Sequence, residues 1–139
     1  MLNGEFRYNL DAKNRIFVPA KMREKLGNDL VVAKDLREKC LKIYSKQEWE
    51  EYIELIKKQK KKLSDVIARV LCSSAGDVTP DGQGRILLPP SLVAHAELEK
   101  DVVIIGCGTY AEIWSADKYE KFNADIDYGA LVDALDEYI

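Results

Sequence analysis

The same short pattern occurs twice in this chain, seventy residues apart. Asp11-Ala-Lys-Asn-Arg15-Ile-Phe-Val-Pro19 returns as Asp81-Gly-Gln-Gly-Arg85-Ile-Leu-Leu-Pro89. In each copy an acidic residue precedes an arginine by four, and an apolar run closed by proline follows. The match continues downstream: Leu26 and Asp29 to Ala33 align with Leu98 and Asp101 to Ile105. Ile43-Tyr44-Ser45 with Trp49 aligns with Ile113-Trp114-Ser115 with Tyr119. One supersecondary unit is used twice, and a repeat at this level constrains the fold more than any single motif. Each module is about 50 residues, near the lower limit for an independent core, so the two are expected to need each other.

Within a module the signals run strand, strand, helix, strand, strand. Residues 5–10 and 15–18 read as short strands joined across Asp11 to Arg15, because aromatic and β-branched residues flank a polar tip. Pro19 ends the second strand and opens one or two helical turns that carry Met22 and Leu26 and stop at Gly27. Residues 30–33 and 40–44 are further strands. The second module repeats the order at 77–80, 85–88, a helix around 90–97, 101–105 and 110–114, with Gly106-Cys-Gly108 as a hairpin turn. The expected fold is α+β and mainly β, built from tandem β-β-α-β-β units.

Between the modules Trp49, Tyr52, Ile53 and Ile56 recur at helical spacing, as do Val66, Ile67, Val70 and Leu71 after Ser64 or Asp65 as the expected cap. These read as linking helices with an apolar stripe turned inward. From Tyr128 onward Leu131, Val132, Leu135, Tyr138 and Ile139 lie on one side of a short acidic amphipathic helix. The organisation is therefore a first module over 1–50, a helical linker over 51–74, a second module over 75–121 and an acidic tail over 122–139.

With 47% apolar and 32% charged residues, and no run near the ~20 apolar residues of a membrane span, the composition is that of a soluble globular protein. The early charge and the lack of a long apolar N-terminal segment argue against a signal peptide and for the cytoplasm. Cys40, Cys72 and Cys107 are odd in number and widely spaced, and His95 is the single histidine, so neither a disulfide framework nor a zinc site is expected. The cysteines read as small apolar residues in or beside strands. Charge is polarised along the chain. Residues 1–70 hold 17 Lys+Arg against 11 Asp+Glu, a balance of +6, and residues 71–139 hold 4 against 13, a balance of −9. One end can meet a polyanion while the other faces solvent or a neighbour. The Lys57 to Lys62 run reads as solvated surface.

The repeated loop carries the chemistry. A three-residue hairpin loop commonly ends on a left-handed residue, which glycine and asparagine tolerate, and the third loop residues are Asn14 and Gly84. Asp11 and Arg15, like Asp81 and Arg85, then leave the turn on one face, where the aspartate can orient the guanidinium. A presented guanidinium suits phosphates and the guanine edge, and a two-stranded ribbon can enter a major groove. Lys13 makes the first tip dipositive, and Lys21, Arg23 and Lys25 follow only that loop, so stronger contact is expected there. By themselves the pairs leave two readings open, a presented guanidinium and a simple lock on the hairpin.

Taken together, the opening Met1-Leu-Asn-Gly-Glu-Phe, both D-x-x-x-R motifs with their Pro19 and Pro89 closures, and Ile113-Trp114-Ser115 resemble the MraZ family over nearly the whole chain. Its modules are of the SpoVT-AbrB type. The resemblance implies paired swapped-hairpin β-barrels and a ring-shaped homo-oligomer. It further implies a transcriptional regulator, associated with the nucleoid, of the bacterial division and cell-wall gene cluster that binds repeated operator sites in double-stranded DNA. Its DNA-contacting loop maps onto Asp11 to Arg15, with the counterpart at Asp81 to Arg85. Asn14 departs from the glycine common before the first arginine, which alters the tip slightly while keeping the turn.

Other classes fit less well. His95 has no nucleophile arranged beside it, and the glycines at 106 and 108 lead to a strand rather than to a phosphate-binding helix. Each loop aspartate has its own arginine, which lowers its pKa and makes it a poor proton donor. No cofactor or metal is expected. An oligomeric protein-binding scaffold without DNA contact is the remaining alternative, supported by the acidic second half.

Overall fold

The computed structural model describes all 139 residues. In chain order the elements are β1 (Glu5–Asn9), β2 (Arg15–Phe17), α1 (Ala20–Leu26), β3 (Leu30–Lys34), β4 (Leu41–Ser45), α2 (Lys46–Lys58) and α3 (Ser64–Ser74). The second half follows with β5 (Gly76–Val78), β6 (Arg85–Leu87), α4 (Pro90–His95), β7 (Asp101–Gly106), β8 (Ala111–Ser115), α5 (Ala116–Ala124) and α6 (Tyr128–Tyr138). The two halves repeat one order of elements, as the paired motifs predict, and the α+β class follows.

The strands do not pair within their own repeats alone. Six of them form one sheet in the order β1-β7-β8-β4-β3-β5, and β2 pairs with β6 in a separate ribbon. The first strand of each repeat lies against the third strand of the other: Tyr8 opposes Val102, and Val78 opposes Leu30. An approximate two-fold axis therefore passes between β4 and β8, where Leu41 opposes Ile113 and Ile43 opposes Ala111. The first strands are exchanged between the repeats, in line with a swapped topology. No closed barrel forms: the sheet ends on β1 and β5, and β2 and β6 leave it to pair with each other. The expected β1–β2 ladder is likewise absent, and only the loop itself is closed, by the Asp11 N–H donating to the Arg15 carbonyl at 3.0 Å.

One core serves both repeats. A cluster of 18 buried residues includes Ile16, Val18, Met22 and Leu41 from the first repeat and Ile86, Leu88, Leu92 and Ile113 from the second, at 2% exposure or less. Because this single cluster draws its members from both repeats, neither repeat buries its apolar face alone. Gly106 shows how tightly the N-terminal segment is drawn in. A Cβ there would stand 2.3 Å from the Asn3 backbone nitrogen, next to the bridge between Leu2 and Gly108. The 106–108 segment is the turn of the β7–β8 hairpin, with the Cys107 N–H bonded to the Tyr110 carbonyl.

The helices follow local rules with two exceptions. α1 ends at Gly27, whose N–H bonds to the Arg23 carbonyl. α2 is capped by Ser45, whose Oγ accepts the Glu48 N–H at 3.2 Å, and it packs Trp49, Tyr52 and Ile56 against Ile67 and Leu71 of α3. Ser64 and Asp65 do not cap α3. The helix begins at Ser64, and its Oγ accepts the Lys61 N–H, closing the preceding turn instead. Cys40 and Cys107 sit at the ends of strands, but Cys72 is exposed on α3, because its position falls on the outer side of that helix. No helix is long and apolar enough to cross a membrane.

Candidate nucleic-acid interface

Both D-x-x-x-R loops have the same construction. Asp11 Oδ1 accepts the backbone N–H groups of Lys13 and Arg15 at 2.9 and 2.8 Å, and its Oδ2 accepts Arg15 Nε at 2.8 Å. Asp81 does the same for Gln83, Arg85 and Arg85 Nε at 2.9, 3.0 and 3.0 Å. Asn14 and Gly84 occupy left-handed backbone at φ 61° and 80°. The carboxylates are held below the ordinary aspartate range, first by the N–H of the arginine four residues on. Each aspartate thus organises the turn and aims the guanidinium with one side chain.

Tertiary structure brings the loops together. Val18 N–H donates to the Gly84 carbonyl at 3.0 Å, and Leu88 N–H donates to the Asn14 carbonyl at 2.8 Å, so each loop is latched by the strand that follows the other. Arg85 Nη1 lies 4.0 Å from Asp11 Oδ2. Arg23 joins the second loop rather than only trailing the first: its Nε donates to the Val18 carbonyl at 3.0 Å, and its guanidinium lies against Gly84. A Cβ at Gly84 would meet Arg23 Cζ at 2.7 Å. Lys13 is exposed at the first tip, beside a cavity of about 410 Å³ that it shares with Asn14, Leu87 and Pro90. Lys21 is exposed on the first turn of α1 and enters no ion pair, while Lys25 is turned away and bonds the Met1 carbonyl.

The β2–β6 ribbon gives this site a face. Ile16 opposes Ile86, and both are fully buried, so the alternation of strand side chains turns Arg15, Phe17, Arg85 and Leu87 outward. Arg15 opposes Leu87, and Phe17 opposes Arg85, which makes a checkerboard of two guanidinium groups and two exposed apolar side chains. Phe17 is 43% exposed and Leu87 58%. Sequence reasoning missed these two, since R-I-F-V-P and R-I-L-L-P read as uniformly apolar runs. The only available signal was their odd position relative to the buried Ile16 and Ile86.

Elsewhere the titratable groups look structural. The Lys42 ammonium is 3.2 Å from Asp35 Oδ1 and 4.5 Å from the Tyr110 ring centre. Burial works to lower its pKa, and the Asp35 carboxylate together with Tyr110 and Tyr52 leaves it raised. Burial pushes the Cys107 thiol up to about 11 and the Cys40 thiol up further, which makes both poor nucleophiles. His95 Nε2 is 3.0 Å from the Asp35 carbonyl, and no cluster of three or more His, Cys, Asp or Glu is gathered for a metal.

Two interlocked repeats thus project paired, aspartate-oriented arginines from one outward β-ribbon. The chain belongs to the MraZ family, described as "MraZ protein, putative antitoxin-like", which matches residues 1–70 and again 71–131. It is 40% identical to the transcriptional regulator MraZ of Clostridium tetani over 140 residues, spanning 99% of this chain and 98% of that protein. The protein of the same name from Heliobacterium modesticaldum is 45% identical over 125 residues, covering 88% and 87%. That of a Thermoanaerobacter species is 38% identical over 141 residues, covering 99% and 98%.

Proposed function

We propose that this chain is a sequence-specific DNA-binding transcriptional regulator that meets repeated promoter sites through its two D-x-x-x-R loops. The observation that carries the reading is the shared outward face on which Arg15 and Arg85 stand together, with Arg85 4.0 Å from the aspartate that orients Arg15. Guanidinium groups fixed by carboxylates are suited to the guanine edge and to phosphates, and Phe17 and Leu87 between them suit thymine methyl groups. Lys13, Lys21 and Arg23 add positive charge for the backbone. Asp11, Asn14, Asp81 and Gly84 hold the tips in shape.

Each copy has few basic tip residues, so useful affinity requires several copies on repeated sites, with later contacts made at high effective concentration. The protein is accordingly read as a ring-shaped homo-oligomer that works on double-stranded DNA in the cytoplasm and at the nucleoid. We read the bacterial division and cell-wall gene cluster as its target, as the family resemblance implies. The test is a mobility-shift titration with one and with several repeats of the DNA upstream of its own gene. Tight retardation of the multi-repeat probe alone is expected. An Arg15→Ala protein that stays folded and oligomeric yet retards that probe as well as the parent would sink the reading.

A protein-binding scaffold is the second reading, favoured by the exposed apolar face of α6. Heparin chromatography separates the two. A scaffold elutes at low salt, and a DNA-binding oligomer is retained well beyond what its pI near 5.3 suggests.

A further inference from the structure

The repeat makes α6 conspicuous. α2 and α5 both follow strands that end in serine, at Ser45 and Ser115, and α3 and α6 follow them in turn. In the first repeat the pair closes on itself, with Ile53 of α2 buried against Ala68 and Leu71 of α3. In the second, α5 has nine residues where α2 has thirteen, and α6 has no buried residue at all. Tyr128, Leu131, Val132, Leu135 and Ile139 recur at helical spacing on one face, with Leu131 55% and Leu135 54% exposed. Such a face on an ordered helix needs a cover that its own chain does not supply.

An acceptor of matching character lies on the first repeat. A groove of about 460 Å³ runs between the β3–β4 turn and the α2–α3 pair. Its floor includes Tyr44, Trp49 and Ile56, and Leu36 and Leu55 stand exposed on its lips. Lys34 and Arg37 line the rim and enter no ion pair, and Gln59 at one end leads into Lys60, Lys61 and Lys62. The tail has the opposite sign: Asp125, Asp127, Asp133, Asp136 and Glu137 follow Lys121 with no further basic residue. The lysine run, which reads as mere solvated surface in isolation, thus borders an apolar groove.

We propose that α6 of one copy docks, apolar face inward, in the α2–α3 groove of a second copy. Donor and acceptor belong to different elements, so each copy gives one helix and receives one. Contacts of this head-to-tail kind propagate from copy to copy and close into a ring when the rotation between neighbours allows it. The inference rests on the self-assembly proposed above and is independent of DNA contact.

The test is mass by light scattering at micromolar concentration on the full chain, with circular dichroism as the fold control. The parent should be an oligomer larger than a dimer. Leu135→Asp and Leu55→Asp, both at exposed positions, should each run as monomers with unchanged spectra. An equimolar mixture should form dimers, because the Leu135→Asp chain keeps its groove and the Leu55→Asp chain keeps its helix. Arg37→Glu should weaken assembly at low salt several-fold, a loss reversed by Glu137→Arg. A Leu135→Asp protein of parental mass overturns the inference. So does a mixture that stays monomeric, which would mean that α6 meets another α6 or a different surface. A parent that is itself a monomer defeats the self-assembly reading first, and the docking with it.

Discussion

Arg85 Nη1 stands 4.0 Å from Asp11 Oδ2, the same oxygen that accepts Arg15 Nε at 2.8 Å. Asp11 therefore faces the arginines of both repeats, whereas Asp81 holds only its own. The two loops are similar in sequence and unequal in position.

That inequality predicts a ranking. Asp11→Ala should loosen both arginines and lower affinity for a multi-repeat promoter probe more than Asp81→Ala, which frees Arg85 alone. Titration of the two variants against one probe at fixed salt checks it. Equal losses would mean that the 4.0 Å approach has no functional weight.

Acid should act through the same carboxylates. Both aspartates have folded pKa values lowered from the ordinary 3.8, first by the backbone N–H of Arg15 or Arg85. A depressed carboxylate stabilises the folded loop at every pH above the ordinary value, and that contribution is lost as pH falls through the lower, folded value. Stability of the parent should hold down to about pH 4 and decline below it, and the double variant Asp11→Asn, Asp81→Asn should lose part of that acid limb. Urea unfolding across the acid range is the measurement.

Gly84 is constrained twice, by φ 80° and by the Arg23 guanidinium lying over it. Gly84→Val should destabilise the protein by about 1–2 kcal/mol from the backbone alone. It should also displace Arg23 and so weaken binding. Asn14→Gly should be neutral or slightly stabilising, since φ 61° is a conformation that glycine adopts freely. Chemical denaturation of both variants decides, and an unaffected Gly84→Val protein would contradict the close packing.

Arg15→Ala should leave the fold intact, because the Arg15–Asp11 pair is on the surface, and should remove a contact from every copy at once. A loss of about 1–3 kcal/mol per base contact, multiplied over several copies, abolishes specific retardation. Lys13→Ala should instead weaken all sequences alike and flatten the salt dependence. Mobility shifts at two salt concentrations separate the two behaviours.

Away from the loops, Asp35 accepts the Arg37 and Glu38 N–H groups at 3.1 and 2.6 Å and pairs with Lys42. Asp35→Ala strands these donors in a site where Asp35 is only 7% exposed, and should destabilise by about 1–3 kcal/mol. The parental pair has a raised Lys42 pKa, so its contribution is complete below the ordinary lysine value and fades as pH rises through the folded one. Thermal unfolding of Asp35→Ala and its parent at neutral and strongly alkaline pH should show the difference shrinking.

Much of this was legible in the residues. The repeat announced two like halves, Asn14 and Gly84 marked left-handed turns because few other residues tolerate that backbone, and the proline and glycine bounds of α1 follow from steric rules. These are local effects, decided within a few bonds of the residue concerned. The partner of each strand is a different matter. The apolar runs mark β2 and β6 as strands, but backbone hydrogen bonds are the same for every sequence, and nothing local sends β1 to β7 or β2 to β6. The same limit hid Arg23 above Gly84, the outward pair Phe17 and Leu87, and the open end of the sheet. It also hid the bare face of α6, whose periodicity shows a stripe but not whether anything covers it. Those features depend on which distant segments share one core, and only the balance of burial over the whole chain settles that.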